Sequence, residues 1–171
     1  RAHVAAYTDD AMNDGDAGWM TTGVSLRSSL VRDQLSPQDG LYMIAEKSGA
    51  GTPYRVVGSV NEVLVAPEAP ERVIQAIAEP ATRIMTLTVT EKGYCRAPDG
   101  GLDASADEIV RELQEPGSPQ TIYGFIVAGL ARRRAAGHGG LSLVSCDNLV
   151  GNGQVLHEML RQFLARRAPD L

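Results

Sequence analysis

The chain has 171 residues, which is the size of one ordinary domain and is long enough to bury a hydrophobic core. Hydrophobic residues make up 43% of it and charged residues 22%, a mixture that is typical of globular proteins and argues against disorder. The formal net charge is −5, and an acidic chain is not attracted to phosphate backbones, so we expect no nucleic-acid partner.

Membrane, export and metal signals are weak. The longest apolar stretch, residues 123–131, is too short to span a bilayer, so no membrane partner is expected. No leader is visible, and two cysteines without a CxxC pair suit a reducing cytoplasm. The start at Arg1 without a methionine suggests a fragment. The widely spaced histidines lack companion ligands, so we expect no metal site.

The first 40 residues predict a helix, a strand and a short second helix. Residues 3–13 predict a helix that Asp14-Gly15 closes. Residues 21–26 predict a short strand. Ser28 is a candidate N-cap for the helical turns that follow, and the turn residues at 37–40 end them.

The middle of the chain predicts a hairpin, a helix and a strand. Two β-rich runs, 41–47 and 54–65, are separated by a segment that contains Gly and Pro, which predicts the one antiparallel feature of the fold. Pro70 opens a helix and Pro80 ends it. Residues 83–90 are β-branched and mostly apolar without a helical period, which predicts a buried strand.

The last third predicts three helices and one strand. Ser105 and Glu108 form the S-x-x-E pattern of a capping box, which predicts a short helix. Ser118-Pro119 starts the clearest helix of the chain, with apolar residues at intervals of three and four. Residues 141–145 predict a second buried strand, and the last helix is expected to begin near Asn152.

Strands that alternate with helices of these lengths predict an α/β fold. We expect a largely parallel sheet with helices on both faces and one antiparallel hairpin. In open parallel sheets, ligands bind beyond the carboxyl ends of the strands. The polar segments that follow the predicted strands therefore mark the expected site, and these are residues 26–29, 90–93 and 146–148.

Two stretches are more specific than any periodicity. Residues 86–95 read Thr-Leu-Thr-Val-Thr-Glu-Lys-Gly-Tyr-Cys, and residues 145–153 read Ser-Cys-Asp-Asn-Leu-Val-Gly-Asn-Gly. Together they closely resemble the long-chain mannitol dehydrogenase family, which includes mannitol and arabinitol dehydrogenases and the fructuronate and tagaturonate reductases. Lesser matches in the same order, among them residues 1–3, 38–42 and 131–137, extend the resemblance over essentially the whole chain.

The resemblance implies a single NAD(P)-binding Rossmann-type domain over residues 1–171. Family members transfer a hydride between NAD(P) and a secondary alcohol of an open-chain polyol or uronate, without a metal. Their Gly-rich phosphate loop runs into the Arg-Ala-His that stands here at residues 1–3, and their lysine base lies in a larger carboxyl-terminal domain. We therefore expect a Rossmann-like domain that is truncated at both ends and is inactive alone.

The resemblance also assigns residues at the nicotinamide end of the cofactor. Asn148 matches the family asparagine that donates a hydrogen bond to the reacting oxygen, where an amide N–H stabilises the negative charge that hydride transfer builds. Asn148 could equally cap the turn between strand and helix, and both roles can hold at once. Thr90 and Glu91 match the segment that lines the nicotinamide, although Glu91 could be an ordinary exposed carboxylate.

The adenosine end departs from the family pattern. NAD-using members place acidic residues after the second strand, where they bind the ribose 2′-OH. Here that stretch has no acid before Asp33, and Arg27, Ser28 and Ser29 could instead receive a 2′-phosphate. We therefore expect NAD or NADP as cofactor, with NADP or relaxed preference as a hypothesis. The simpler alternative is that Ser28 only caps the next helix.

Three interpretations stay open. The first is the cofactor-binding domain of an oxidoreductase that acts on a polyol or hexuronate, of the mannitol/fructose or mannonate/fructuronate type. The second is a stand-alone module that binds a nucleotide or a protein without catalysis. The third adds self-association, because a truncated sheet exposes edges that can pair with another chain. The sequence does not distinguish polyol from uronate.

Overall fold

The computed structural model describes residues 2–45, 47, 49, 51–115, 117 and 119–171, which fold into two compact units, residues 1–68 and 69–171. The strands are β1 Thr21–Ser25, β2 Tyr42–Ala45, β3 Tyr54–Val57, β4 Val60–Val65, β5 Ile84–Leu87 and β6 Ser142–Ser145. The helices are α1 Ala2–Asn13, α2 Leu30–Leu35, α3 Pro70–Ala78, α4 Asp107–Gln114, α5 Ile122–Ala135 and α6 Asn152–Arg167. The predicted α/β class is confirmed.

The first unit combines a parallel and an antiparallel strand pair. β1 pairs in parallel with β4, and β2 pairs with β3 as the predicted antiparallel hairpin. The run 54–65, predicted as one strand, is interrupted at Gly58 and Ser59. The Gly58 N–H donates to the Asp9 carboxylate at 2.8 Å, and the buried Ser59 hydroxyl donates to the Ala5 carbonyl at 2.6 Å. These bonds to α1 redirect the chain from the hairpin into the parallel pair.

The turn between α2 and β2 depends on Gly40. Its φ of +77° lies in the left-handed region, and a Cβ there would stand 2.2 Å from the Val60 carbonyl oxygen. At the other end of α2, the N-cap position is Ser29, whose side chain makes no capping bond. The predicted N-cap, Ser28, lies one residue earlier, and its hydroxyl accepts a hydrogen bond from the Leu30 N–H at 3.2 Å, so Ser28 supports the turn that leads into α2.

The second unit is organised around α5. This helix is buried on nearly all sides and packs against α3, where a Cβ at Gly129 would stand 2.3 Å from the Ile77 side chain. Only glycine lets the two helices approach this closely. On α6, Phe163 stacks on Tyr123 with the ring centroids 5.7 Å apart.

β5 and β6 form a parallel pair with Leu87 opposite Ser145. Both strands were predicted to be buried, and that prediction is wrong: their burial alternates, and Ile84 and Val144 are 50% and 42% exposed. Alternate side chains of a strand point to opposite faces, so one side of each strand is exposed while the other is partly buried.

Helix starts differ from the sequence prediction in two places. The Ser105 hydroxyl donates to the Asp103 carboxylate at 2.6 Å, and α4 begins after Ala106 without a side-chain cap, so the capping box is absent. The same Asp103 oxygen also accepts from the Ser105 N–H at 3.0 Å, so both polar groups of Ser105 are directed at Asp103. α5 is capped by Thr121, whose side chain accepts from the Gly124 N–H at 3.3 Å, and the predicted start at Ser118 lies outside the described residues.

Candidate functional site

Two chain segments leave the same edge of the β5–β6 pair side by side. Leu87 and Ser145 are opposite each other in the last pair of the register, and the Cys146 N–H donates to the Leu87 carbonyl at 2.7 Å. The segments 88–91 and 146–149 therefore begin in contact. This is the carboxyl end of parallel strands, where ligands bind in folds of this class.

The Asp147 carboxylate joins the two segments. One of its oxygens accepts from the backbone N–H of Val89, and the other accepts from the hydroxyls of Tyr94 and Ser145, the latter at 2.9 Å. The Tyr94 and Ser145 hydroxyl oxygens are themselves 2.9 Å apart. Burial of the ring, together with the hydrogen bond to Asp147, raises the pKa of Tyr94 to about 12, so this hydroxyl remains a donor at neutral pH.

The network continues into the interior and into α6. The Tyr94 side chain is buried, and its carbonyl accepts from the hydroxyl of Tyr123 on α5 at 2.8 Å. The carbonyl of Asp147 accepts from the side-chain amide of Asn152, at the start of α6, also at 2.8 Å. Helices on two sides therefore hold the loop after β6.

Asn148 stands on this braced loop with its side chain exposed. Among the described residues its amide makes no hydrogen bond, and it is Asn152 that fastens the turn between strand and helix. The capping alternative for Asn148 is therefore wrong. An exposed amide on a fixed backbone is available to donate to a ligand atom.

Thr90 and Glu91 follow β5. Thr90 is exposed and extended, and it precedes the 3-10 turn Glu91–Tyr94. The Glu91 side chain lies outside the described part of the chain. The turn is tight at Gly93, where a Cβ would stand 2.3 Å from the Val89 side chain, so glycine is required here.

A cleft of about 640 Å³ adjoins the loops of this unit. Its wall includes Lys92, Arg96, Asp103 and Glu108, and it reaches Leu149, the neighbour of Asn148. Charges of both signs line it, which suits a polar ligand. Cys95 also lines the cleft, but burial and the nearby Glu108 raise the pKa of its thiol to about 11, which makes it a poor nucleophile at neutral pH.

The residues predicted for the adenosine end lie in the first unit, after β1. Arg27 and Ser28 are exposed and Ser29 is half-buried, and no ion pair of Arg27 occurs among the described residues. Asp33, the first acid after the strand, is engaged by its surroundings. Hydrogen bonds from Ser29 and Arg32 hold the pKa of its carboxyl below the usual range.

Sequence reasoning missed Asp147 and Tyr94. Both stand inside the two quoted stretches, one residue before Asn148 and three residues after Glu91. An acid directly at a strand end was the available signal, but its partners come from a segment more than 50 positions away, as the separation of 58 between Val89 and Asp147 illustrates.

Neither a metal-binding cluster nor a membrane-spanning helix occurs in the described part of the chain. Over the described ranges, no group of three or more His, Cys, Asp or Glu side chains is arranged to hold a metal ion. Likewise, no described helix has the length and apolar character needed to cross a membrane.

Comparisons with known proteins agree with the fold. Residues 1–170 match the family described as the mannitol dehydrogenase Rossmann domain. The chain is 39% identical to mannitol 2-dehydrogenase of Aspergillus terreus, covering 100% of this chain and 35% of that protein. It is 37% identical to the uncharacterized oxidoreductase YeiQ of Escherichia coli, over 100% of this chain and 36% of that protein.

Solved structures extend the likeness. Mannitol 2-dehydrogenase of Pseudomonas fluorescens, determined with NAD and D-mannitol, superposes with a TM-score of 0.92 at 39% identity over 98% of this chain and 35% of that one. A substrate-free D-sorbitol dehydrogenase superposes with a TM-score of 0.92 at 32% identity, over 99% and 36% of the respective chains. The predicted Rossmann-like architecture is confirmed, and the chain spans about a third of the length of these relatives.

Proposed function

Because the chain belongs to the mannitol dehydrogenase Rossmann domain family, we propose that it is the cofactor-binding part of an enzyme that oxidises or reduces sugar derivatives. The reaction is hydride transfer between NAD(P) and a secondary alcohol or ketone of a polyol or hexuronate. The observation that carries the proposal is the exposed Asn148 amide at the paired ends of β5 and β6.

The proposed role of Asn148 is to stabilise charge that develops during the reaction. In the reducing direction a C–H bond forms at the carbonyl carbon, the C=O π-bond breaks, and its electron pair moves to the oxygen. The Asn148 N–H groups stabilise that negative charge, because a donor with a fixed backbone needs little reorganisation. When bound, the nicotinamide cofactor would supply the hydride, and the protonated form of the lysine base that the family resemblance implies would supply the proton that completes the alcohol.

Asn148→Ala in the complete protein tests this role. We expect kcat for ketone reduction to fall by about 10²–10³-fold, the usual cost of one donor to a developing oxyanion. Asn61→Ala is the matched control, since it removes another exposed asparagine, from β4, and should leave kcat unchanged. An unaltered kcat in the Asn148 variant would exclude Asn148 from the mechanism.

The substrate class is proposed from the relatives. The Pseudomonas fluorescens protein was solved with D-mannitol, and the second structure is a D-sorbitol dehydrogenase, so open-chain polyols are the first substrates to assay. Fructuronate and tagaturonate belong in the same panel. Activity on any of these distinguishes an enzyme from a non-catalytic nucleotide- or protein-binding module, which would show binding without turnover.

NAD or NADP is the proposed cofactor, held at the adenosine end by Arg27, Ser28 and Ser29 and at the nicotinamide end by Thr90, Glu91 and Asn148. The exposed Arg27 beside two hydroxyls fits a 2′-phosphate, and Asp33 is already engaged by Arg32. Arg27→Ala should lower kcat/KM for NADPH more than for NADH. A strong NADH preference in the wild-type protein would contradict the phosphate pocket.

Location and assembly complete the proposal. We propose a cytoplasmic enzyme with small-molecule partners, since two free thiols suit a reducing compartment. Because the 171-residue chain spans about a third of its relatives' length, it should be inactive alone, and it should self-associate through exposed strand residues such as Ile84 and Val144. Sedimentation of this piece as a monomer at micromolar concentration would contradict the self-association.

A further inference from the structure

We propose that Asp147 is a positioning residue, whose bonds to Val89, Tyr94 and Ser145 set the direction in which Asn148 presents its amide. This inference rests on the proposed function, in which Asn148 touches the reacting oxygen. It assigns a task to a carboxylate that the sequence motif contains but that has no part in the chemistry described above.

The first support is the way Asp147 satisfies the backbone of the other segment. Val89 lies beyond the last paired residue of β5, so its N–H is outside the strand ladder. The Asp147 carboxylate accepts from it and thereby links the exits of both strands through one side chain. A bond from a backbone amide to a charged acceptor is among the stronger hydrogen bonds in proteins.

The second support is the contrast between Asp147 and its neighbour. Around Asp147, the preceding Cys146 N–H is bonded to Leu87, and the Asp147 carbonyl is bonded to Asn152. The next side chain, Asn148, is exposed and has no bond among the described residues. The loop thus fixes the backbone on the amino-terminal side of Asn148 and leaves its amide free, which is how a preorganised donor is built.

The third support is the anchorage of Tyr94. Its hydroxyl donates to Asp147, its ring is buried, and its carbonyl is bonded to Tyr123 of α5. Asp147 is therefore connected through Tyr94 to the most buried helix of this unit. Movement of the carboxylate would disturb packing as well as the loop.

A purely structural role makes different predictions. If Asp147 only stabilised the fold, its replacement would lower the melting temperature and weaken cofactor binding. Its effect on kcat would then be independent of the effect of Asn148→Ala. A positioning role lowers kcat through Asn148 alone. The loss should then vanish once the Asn148 amide is absent, and the two single changes should be non-additive.

The experiment is Asp147→Asn in the complete protein, with Asp99→Asn as the matched control. Asp99 is another loop carboxylate, exposed, and it accepts from the Gly101 N–H at 2.9 Å. We expect Asp147→Asn to lower kcat for ketone reduction by about 10–100-fold, as removal of a residue that orients an active group does, and to change the NADH Kd by less than about threefold. The control should change neither quantity.

The double variant Asp147→Asn/Asn148→Ala should have the kcat of Asn148→Ala. An independent readout is hydrogen exchange, where the segment 88–91 should exchange faster in Asp147→Asn because the Val89 amide loses its charged acceptor. Tyr94→Phe, which removes one donor and keeps the ring, is the second variant if Asp147→Asn folds poorly, with a smaller loss of kcat expected.

The outcomes separate the two proposals. A wild-type protein that turns over no substrate with either cofactor overturns the proposed function and, with it, the positioning role. If the wild type is active but Asp147→Asn leaves kcat unchanged, only the positioning role is overturned. The same holds if Asp147→Asn lowers kcat by the same factor in the wild type and in Asn148→Ala.

Discussion

The Glu112 carboxylate accepts from both the backbone N–H and the hydroxyl of Thr121, at 2.5 and 2.6 Å. It also accepts from the Gln120 N–H, and the side chain is buried at the amino terminus of α5. A negative charge at the amino terminus of a helix is stabilising, because that end of the helix dipole is positive. Glu112 of the short helix α4 therefore stabilises the segment that leads into α5, next to the Thr121 cap.

Glu112→Gln should lower the free energy of unfolding by about 1–3 kcal/mol, because the hydrogen bonds from Gln120 and Thr121 lose the negative charge that strengthens them. Glu115→Gln, at an exposed position just after α4, should change it by less than about 0.5 kcal/mol. Chemical denaturation of both variants measures the difference. Equal stability of the two would show that the buried carboxylate contributes nothing.

Arg133 is the buried member of three consecutive arginines, Arg132 to Arg134, in the last turn of α5. Among the described residues, its side chain donates to five backbone carbonyls, which belong to Ile77, Glu79, Thr82, Gly139 and Gly140. Arg132 instead forms an exposed ion pair with Glu71, and Arg134 donates to the Asp170 carbonyl. One arginine thus joins the end of α3 to the loop after α5.

Arg133→Met should destabilise the protein by on the order of 3 kcal/mol, because several buried or partly buried carbonyls lose their donors at once. Arg132→Met is the matched control and should cost less than about 1 kcal/mol, the range of an exposed ion pair. Thermal unfolding followed by circular dichroism compares them. Similar melting temperatures for the two variants would contradict the structural role of Arg133.

The Asp9 carboxylate should make the free energy of unfolding depend on pH in the acidic range. The Gly58 N–H, more than the Arg55 guanidinium, holds the pKa of its carboxyl below the usual value. A depressed folded-state pKa means that the stabilisation is present above the unfolded-state pKa and is lost as the pH falls through the folded-state pKa. The effect should therefore appear at neutral pH and fade on acidification below about pH 4.

The measurement is the unfolding free energy of the wild type and of Asp9→Asn between neutral pH and pH 3. The wild type should be the more stable at neutral pH, and the two curves should converge in acid. Asp14→Asn, at an exposed position after α1, should change the stability at neutral pH by less than about 0.5 kcal/mol. A gap between wild type and Asp9→Asn that does not narrow between neutral pH and pH 3 would contradict the assignment.

The two cysteines should differ in reactivity. Cys95 is buried with its pKa raised to about 11, whereas Cys146 is exposed beside Asp147. At pH 8 the Cys95 thiol is ionised on the order of one part in a thousand, so a disulfide reagent should label the native protein with about one equivalent. Cys146→Ser should abolish the fast labelling, and Cys95→Ser should leave it unchanged. Loss of the fast labelling in Cys95→Ser instead would contradict the structure.

The amino-acid sequence by itself determined the order of helices and strands, the antiparallel hairpin and the two segments that follow β5 and β6. These features are local: periodicity, turn residues and contiguous motifs are legible in one stretch of chain. Local patterns also produced the errors in the two predicted helix caps. Ser105 bonds the nearby Asp103 side chain, and Ser28 lies one residue before the N-cap position of α2.

Only the tertiary structure decided what the polar residues do. The break at Gly58, the burial of Arg133 and the brace that Asp147 provides all depend on partners more than 45 positions away in the chain. A polar group becomes a structural partner only when the fold removes it from water and places a donor or acceptor beside it. Asn148 and Asp147 are adjacent in sequence, yet one is exposed and the other is bound, because only one of them faces Val89 and Tyr94.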